Sequence, residues 1–402
     1  MHWLQIGRQQ LVKTGLESLI ANGCGILGDA RVGLITNRSS ITKDGIPGYL
    51  ALFAHGVNIK ALFAPEHGLS ASLPAGEPVG IHKDETIGAV VFSLYGDTFE
   101  PSSEMLDEVD VVVFDMQDVG ARFYTYITTM LYSMYACARA GKPFIVLDRP
   151  NPIGGLAVEG TILESGFESM VGELRSPIRF GLTIGEAAVL AGAENMPDLD
   201  LRVEKLEGWK RAMWFDETGL PWVPTSPNLS NIDALTVYPG MCLLEGTNLS
   251  EGRGTDSPFL AAGAPWINAS EMVSSLSCEG LPGVVFEPVE FVPTRSKYAG
   301  ERCSGVRLVV TDRNEFRPVL TAVAIIAAAR DQNLEHFEFI MPKAGGRLHF
   351  DLLAGTDRLR NALESGAGAW EIASEWDSDV SEFRRRAMPH LLYEPETWQN
   401  KF

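Results

Sequence analysis

Five short apolar runs in the first 150 residues each stop at polar side chains that suit binding or catalysis. The runs and the residues that follow them are Val32–Ile35 with Thr36-Asn37, Ile59–Ala64 with Pro65-Glu66-His67-Gly68, Ala89–Phe92 with Ser93-Leu94-Tyr95-Gly96, Val111–Phe114 with Asp115-Met116-Gln117-Asp118, and Phe144–Leu147 with Asp148-Arg149-Pro150-Asn151. Helical stretches are predicted near 9–22, 47–56, 102–109 and 123–140. Strands that alternate with helices form parallel βαβ units, so we expect all five polar clusters at one edge of one sheet. Open α/β sheets bind their ligands at that edge.

The pattern changes after Asn151. The stretch 216–260 is rich in Pro, Gly, Asn, Ser and Thr, with little periodicity, which predicts a long, lid-like loop. The other predicted elements are helices near 184–194, 317–331, 351–364 and 368–387, and strands at 201–206, 284–292 and 306–311. We therefore predict an α/β fold, with a Rossmann-like, mainly parallel sheet domain over 1–190. A smaller α+β domain over 191–402 is predicted to close a cleft against it.

Charge and composition exclude several classes of function. The 402 residues carry 33 Lys and Arg against 52 Asp and Glu, a formal charge of −19, which disfavours nucleic-acid and anionic-membrane partners. No run of about 18 apolar residues predicts a membrane span. The first residues lack a basic region followed by an apolar one. A cytoplasmic location is therefore expected for the chain as written, and an extracytoplasmic one requires that a signal was removed.

Glycine, cysteine and histidine patterns predict neither a cofactor nor a metal site. Gly23–Gly28 matches G-x-G-x-x-G, but a helix precedes it and a strand follows it, so we interpret it as a helix stop and turn. The five cysteines are scattered and predict buried free thiols. The seven histidines show no metal-ligand spacing.

The strand-end motifs supply the candidate catalytic carboxylates. Glu66 lies beside His67 and Gly68, where partial burial would suit a general acid, although a helix cap or an Arg pair is an equal alternative. Asp115 and Asp118 end a buried strand just before Arg122, which is predicted to start the next helix. Paired carboxylates suit acid/base chemistry or a divalent ion. The alternative is that one carboxylate caps that helix and the other pairs with Arg122.

Other polar groups are candidates for substrate contacts. Arg149 and Asn151 are interleaved with prolines that would fix them, and a rigid guanidinium suits a carboxylate ligand; the alternative is an Arg–Asp pair. Residues 244–255 place carboxylates, an Asn and an Arg among glycines, as in a substrate clamp or a plain surface turn. The predicted substrate-binding residues are Asn37, His67, Tyr95, Arg122, Tyr124, Arg149, Asn151, Asn228, Glu245, Asn248, Glu251 and Arg253.

Many of these motifs resemble one bacterial family. The chain is similar to the exo-β-N-acetylmuramidases of glycoside hydrolase family 171, in order from about 31 to Tyr393. The matching motifs are 32–37, 65–68, 93–96, 115–126, 148–155, 181–186, Ser226-Pro227-Asn228, Tyr238-Pro239-Gly240 and 245–255. The resemblance implies a Rossmann-like domain, a smaller second domain and a cleft between them. It also implies that terminal, non-reducing N-acetylmuramic acid is released from peptidoglycan fragments during cell-wall recycling, with Glu66 as the catalytic carboxylate.

The resemblance leaves the second catalytic group open. The candidates are Asp115, Asp118 and Glu251, in that order. The expected partner is a small saccharide or muropeptide, whose lactyl carboxylate would suit the arginines of these motifs. Two alternatives are a metal-dependent hydrolase using Asp115, Asp118 and His67, and a non-catalytic muropeptide-binding protein. The sequence gives no indication of oligomeric state.

Overall fold

The computed structural model describes residues 12–66, 68–70, 82–96, 98–342 and 345–398. Within them the strands are β1 Val32–Thr36, β2 Ile59–Ala64, β3 His82–Lys83, β4 Val90–Ser93, β5 Val111–Asp115, β6 Phe144–Leu147, β7 Glu159–Ile162, β8 Pro177–Arg179, β9 Leu201–Glu204, β10 Ala261–Ala264, β11 Val284–Phe291 and β12 Cys303–Val310. The α-helices are α1 Gly15–Ala21, α2 Gly48–Ala54, α3 Ser103–Asp107, α4 Thr125–Ala140, α5 Ile184–Asn195, α6 Ile232–Met241, α7 Ala269–Cys278, α8 Pro318–Gln332, α9 His349–Ala354, α10 Arg358–Glu364, α11 Ala369–Ser374, α12 Trp376–Ala387 and α13 Pro395–Trp398. Short 3-10 helices cover Phe215–Glu217, Cys242–Gly246 and Met388–His390.

A twisted sheet forms the centre of the first half. Its strands, as far as the chain is described, follow the order β3-β4-β2-β1-β5-β6-β9, and only the β3–β4 pair is antiparallel. The register sets Thr36 beside Asp115 and Ala64 beside Ser93, so these strands end together. The predictions of a mainly parallel sheet and of a shared polar edge are confirmed.

Helices cover both faces of this sheet because successive side chains of a strand point in opposite directions. Val113 packs with Leu16 of α1 and Leu52 of α2. Its neighbours Val112 and Phe114 belong to the core cluster that includes α4 on the other face. Since β5 is buried on both faces, its sequence is a continuous apolar run rather than an alternating one.

The second half is built around a three-stranded antiparallel sheet, β10-β12-β11, and the buried helix α8. Helix α6 crosses α8 so closely that a Cβ on Gly240 would lie 1.8 Å from the carbonyl oxygen of Pro318. Glycine is therefore required at that crossing. The predicted smaller α+β part is confirmed, and the boundary at 190/191 stays a prediction. In the described segments, no helix combines the length and apolarity needed to cross a membrane.

Several details of the predicted element map are wrong. The expected loop over 216–260 contains α6, which carries Pro239 and Gly240 and is buried on nearly all sides, so its sequence has no helical period. The expected helices at 351–364 and 368–387 are each divided in two, and α7, β7 and β8 were not predicted. Gly23–Gly28 lies in turns between α1 and β1, as interpreted. All five cysteines are free, and four are buried, but Cys278 is exposed.

The end of the chain packs against the end of β6. The Tyr393 hydroxyl donates to Asp148 Oδ2 at 2.7 Å, as does the Thr183 hydroxyl at 2.8 Å, and the Gly185 N–H donates to Oδ1 at 2.8 Å. The Gly15 N–H, at the start of α1, donates to the Asp148 carbonyl at 2.8 Å. Asp148 therefore connects the first helix, the centre of the sheet and the last segment of the chain.

A buried ion pair supports the same docking. Arg211 pairs with Glu186, and both side chains are fully buried. The guanidinium also donates to the Tyr393 carbonyl at 3.1 Å and to the Gly181 carbonyl at 2.8 Å. The Leu392 N–H donates to Glu186 Oε1 at 2.9 Å. Buried charges require such complete pairing, so residues 392–393 are part of the core structure.

Candidate active site

A cavity of about 390 Å³ lies where the carboxyl edge of the large sheet meets the second half of the chain. Its volume lies within the roughly 300–1,000 Å³ that is usual for small-ligand sites. From the first half it is lined by Glu66, Tyr95, Phe123, Tyr124, Thr125, Met170 and Val171. From the second half it is lined by Ser226, Pro227, Asn228, Tyr238, Cys242, Glu245, Arg253, Phe259, Arg295, Ser296, His349 and Leu353.

Glu66 is presented to this cavity by the end of β2. Its side chain is 8% exposed, and the hydroxyl of Thr125, the first residue of α4, donates to its Oε2 at 2.8 Å. Burial raises the pKa of Tyr95 to about 12, and the charge of Glu66 and a hydrogen bond to it add to the rise. Glu66 is thus a buried carboxyl that is hydrogen-bonded to the hydroxyl groups of Thr125 and Tyr95.

A polar and aromatic layer supports the sheet edge behind Glu66. Asn37 Nδ2 donates to the Tyr126 hydroxyl at 2.6 Å, and that hydroxyl donates to the Thr225 carbonyl at 2.8 Å. The rings of Tyr124 and Tyr126 meet edge to face at 4.7 Å. Tyr124 lines the cavity, whereas Asn37 is 4% exposed and lies one layer behind it. Asn37 therefore acts on the site through Tyr126.

The opposite wall carries a charged cluster from the second half. Glu245 accepts a hydrogen bond from Arg253, whose Nε lies 3.6 Å from Glu251 Oε1. Lys297 Nζ lies 3.1 Å from Glu251 Oε2. His349 Nε2 lies 4.0 Å from Glu245 Oε2, and burial is the main cause that lowers the His349 pKa. The predicted 244–255 segment thus forms a wall of the cavity through Glu245 and Arg253, while Glu251 is buried behind them.

Asp115 and Arg149 are paired with each other. Arg149 Nε donates to Asp115 Oδ1 at 2.6 Å, and the Ser40 hydroxyl donates to Asp115 Oδ2. Arg149 also donates to the Ile41 carbonyl at 3.3 Å. Neither side chain is among the described groups that line the cavity. This is the alternative arrangement, an Arg–Asp pair that joins a strand end to a loop.

Asp118 is buried beneath the cavity wall. Its Oδ2 accepts the Gly120 N–H at 2.7 Å, while Oδ1 has no hydrogen-bond partner among the described residues. Burial raises its pKa to about 7, and its charge contributes to the raised pKa values of Tyr124 and Tyr126. Asp118 lies near the aromatic layer and does not line the cavity.

Arg122 does not start α4, which begins at Thr125, and it does not line the described cavity. It donates to the carbonyls of Thr161 at 2.7 Å, Ser176 at 2.6 Å and Leu353 at 2.9 Å. Burial lowers its pKa to about 9. Since its hydrogen bonds go to three separate segments, its position is that of a structural cross-link.

The two remaining asparagines organise loops. Asn151 Nδ2 donates to the Leu182 carbonyl at 2.8 Å, and Asn248 Nδ2 donates to the His336 carbonyl at 2.5 Å. Neither lines the cavity as far as it is described. His67 lies outside the described residues. In the part that is described, no group of three or more His, Cys, Asp and Glu is arranged to hold a metal ion.

Several polar residues that line the described cavity, among them Thr125, Ser226, Arg295 and His349, were not among the predicted site residues. Thr125 lies inside the 115–126 motif, so its position after a strand end was a usable signal. Ser226 begins the Ser226-Pro227-Asn228 motif. Arg295 and His349 lie in stretches without a motif, and only the packing of the second half brings them to Glu66.

Comparisons with known proteins give one consistent result. The family model "Exo-beta-N-acetylmuramidase NamZ, N-terminal" matches residues 32–233, and "Exo-beta-N-acetylmuramidase NamZ, C-terminal" matches residues 236–393. Peptidoglycan beta-N-acetylmuramidase NamZ of Bacillus subtilis (strain 168) is 42% identical over 390 residues, covering 97% of this chain and 93% of that protein.

Solved structures give the same result for the fold. A crystal structure of a DUF1343 family protein from Bacteroides fragilis NCTC 9343 superposes with a TM-score of 0.88 at 35% identity, covering 96% of this chain and all of that one. A second DUF1343 family protein from the same organism has a TM-score of 0.76 at 30% identity, covering 95% and 99%. The resemblance found in the sequence motifs is confirmed, and the chain belongs to the exo-β-N-acetylmuramidase NamZ family.

Proposed function

We propose that this protein is an exo-β-N-acetylmuramidase that releases terminal, non-reducing N-acetylmuramic acid from peptidoglycan fragments, with Glu66 as general acid. The observation that carries the proposal is the position of Glu66, a buried carboxyl at the ligand-binding edge of the sheet that lines a cavity of small-saccharide size. Membership of the NamZ family supports N-acetylmuramic acid as the sugar and its β-glycosidic bond as the bond that is cleaved.

The geometry around Glu66 assigns its two oxygens different tasks. The Thr125 hydroxyl donates to Oε2, so this oxygen is an acceptor, and in the proposed reaction the proton is delivered from Oε1. The fixed carboxyl plane then directs the Oε1 proton toward the glycosidic oxygen of a bound sugar. A positioned general acid of this kind contributes about 10²–10⁴-fold to the rate.

Glycosidases of most families use two carboxyl groups. Glu245 is the other carboxylate that lines the cavity within the described residues. We assign it the second role because Asp115, Asp118 and Glu251 do not line the described cavity. The anomeric configuration of the first product then tells whether Glu245 attacks the sugar or activates water.

The test is release of N-acetylmuramic acid from MurNAc-β-1,4-GlcNAc by the wild type and by Glu66→Gln. We expect a loss of about 10²–10⁴-fold in kcat, because the amide cannot deliver the proton. Glu287→Gln, which changes an exposed glutamate on β11, is the matched control and should keep full activity.

Two outcomes would overturn the assignment. Binding of the disaccharide without release, unaffected by Glu66→Gln, would indicate a muropeptide-binding protein. Loss of activity in a chelator, restored by a divalent cation, would indicate a metal-dependent hydrolase.

A further inference from the structure

The charged groups of the cavity wall from the second half are paired with opposite charges, and Arg295 is the exception. Arg253 lies between Glu245 and Glu251, and Lys297 pairs with the second oxygen of Glu251. Two cations therefore face two anions at 2.5–3.6 Å. Arg253 lines the cavity, but the carboxylates around it would repel an anionic ligand as strongly as Arg253 attracts it.

Arg295 is the exception. It lines the same cavity and forms no ion pair with a carboxylate of the described residues. Its Nη2 lies 3.3 Å from Asn228 Oδ1, a neutral acceptor that also lines the cavity. In a chain with a formal charge of −19, an uncompensated guanidinium beside a cavity is an attractive point for an anion.

The turn that carries Arg295, between β11 and β12, is firmly attached to the cavity wall. The Thr294 N–H and hydroxyl both donate to the Gly254 carbonyl, at 2.9 and 2.8 Å. Lys297 Nζ donates to the carbonyls of Leu244 at 2.7 Å and Leu249 at 2.8 Å.

The backbone on either side of Arg295 is equally constrained. A Cβ on Gly254 would lie 2.6 Å from the Arg295 carbonyl oxygen, so the two segments touch backbone to backbone. Ser296 adopts φ of +71°, a conformation that costs free energy and persists only where surrounding contacts impose it. The turn therefore holds the Arg295 backbone at a fixed place beside the cavity.

We propose that Arg295 binds the lactyl carboxylate of N-acetylmuramic acid and is the residue that selects this sugar over N-acetylglucosamine. The inference rests on the proposed function. The two sugars differ by the lactyl ether, so its carboxylate is the group that a selective site must recognise. Guanidinium groups bind carboxylates through paired hydrogen bonds, and Asn228 fixes one edge of the guanidinium for that contact.

The test compares β-glycosides that share one chromogenic leaving group. The sugars are N-acetylmuramic acid, its lactyl carboxamide and N-acetylglucosamine. We expect Arg295→Gln to lower the ratio of kcat/KM for the carboxylate over the carboxamide by about 10- to 100-fold, mainly through KM. Arg295→Lys should restore part of the ratio. The control is Arg302→Gln, just before β12, where the exposed arginine pairs with Glu290 and does not line the described cavity.

An unchanged ratio in Arg295→Gln would overturn the inference. A further glycoside, with the lactyl group amide-linked to L-alanine, identifies the source of the anion. If Arg295→Gln impairs this glycoside and spares the free lactyl form, the arginine binds a peptide carboxylate and the lactyl assignment is wrong.

Calorimetric binding of free N-acetylmuramic acid and N-acetylglucosamine separates this inference from the proposed function. A wild type without turnover that still prefers N-acetylmuramic acid through Arg295 would refute the hydrolase and retain the inference. If the wild type is hydrolytically active and Arg295→Gln keeps the preference for N-acetylmuramic acid, the inference is refuted and the hydrolase function is retained.

Discussion

Replacing Asp118 with Asn should stabilise the protein relative to the wild type, and this advantage should grow as the pH rises. Asp118 is 6% exposed, and its Oδ1 has no hydrogen-bond partner in the described structure. Burial raises its pKa from 3.8 to about 7, because the surroundings disfavour the charged form. Asn has nearly the same shape and no charge, so Asp118→Asn removes the cost of ionisation and keeps the acceptor for Gly120.

The sign and size follow from linkage. Between pH 3.8 and about 7 the folded wild type keeps a proton on Asp118 that the unfolded chain has released. The contribution of Asp118 to the free energy of unfolding therefore falls as the pH rises. At about 1.36 kcal/mol per pH unit, the full difference is about 4 kcal/mol above pH 7. The unfolding entropy of a chain this long is about 0.8 kcal/mol/K, which converts that difference into a Tm gap of about 5 °C.

The assay is Tm of both proteins by calorimetry from pH 4 to pH 8, with disaccharide hydrolysis measured on the same samples. The difference in Tm between Asp118→Asn and the wild type should increase across this range, and the variant should keep its hydrolytic activity. Asp110→Asn is the control, because the hydrogen bond from Arg31 lowers the pKa of this exposed aspartate to about 2, so its variant gains nothing as the pH rises. A gap that stays constant or narrows would refute the argument, and a loss of activity would return Asp118 to a catalytic role.

Two further substitutions test the site and the core. Thr125→Val should lower kcat about 2- to 10-fold with little change in KM, because it removes the hydrogen bond to Glu66, while Thr128→Val, whose hydroxyl has no partner in the described structure, should be neutral. Equal kinetics for the two variants would contradict the role of Thr125. Gly240→Ala should cost about 3 kcal/mol, seen as a lower Tm, because its Cβ would overlap the Pro318 carbonyl; an unchanged Tm would contradict the close helix crossing.

The central sheet could be predicted because its signals are local. Strands β1, β5 and β6 are short apolar runs buried on both faces, and each run ends where the polar edge begins. Glu66 and Tyr95 were found for the same reason, since a strand end in such a sheet is also a ligand-binding position. Helix α6 was missed because the burial that stabilises it comes from α8, far along the chain.

The roles of the charged residues could not be predicted in this way. Arg122, Arg149 and Arg253 are similar in the sequence, each a cation in a motif rich in polar groups. In the fold, Arg122 donates to three carbonyl groups, Arg149 pairs with a buried aspartate, and Arg253 lines the cavity. Which cation faces the cavity depends on distances between segments that no local pattern encodes, and Arg295 was missed for this reason.

The docking of Tyr393 onto Asp148 has a consequence for biosynthesis. A ribosome completes the central sheet long before it adds the tyrosine whose hydroxyl and carbonyl serve Asp148 and Arg211. Until then the buried Asp148 carboxyl and Arg211 guanidinium lack part of their hydrogen bonding, which is costly for buried polar and charged groups. Translation products that stop short of Tyr393 are therefore left open to proteolysis.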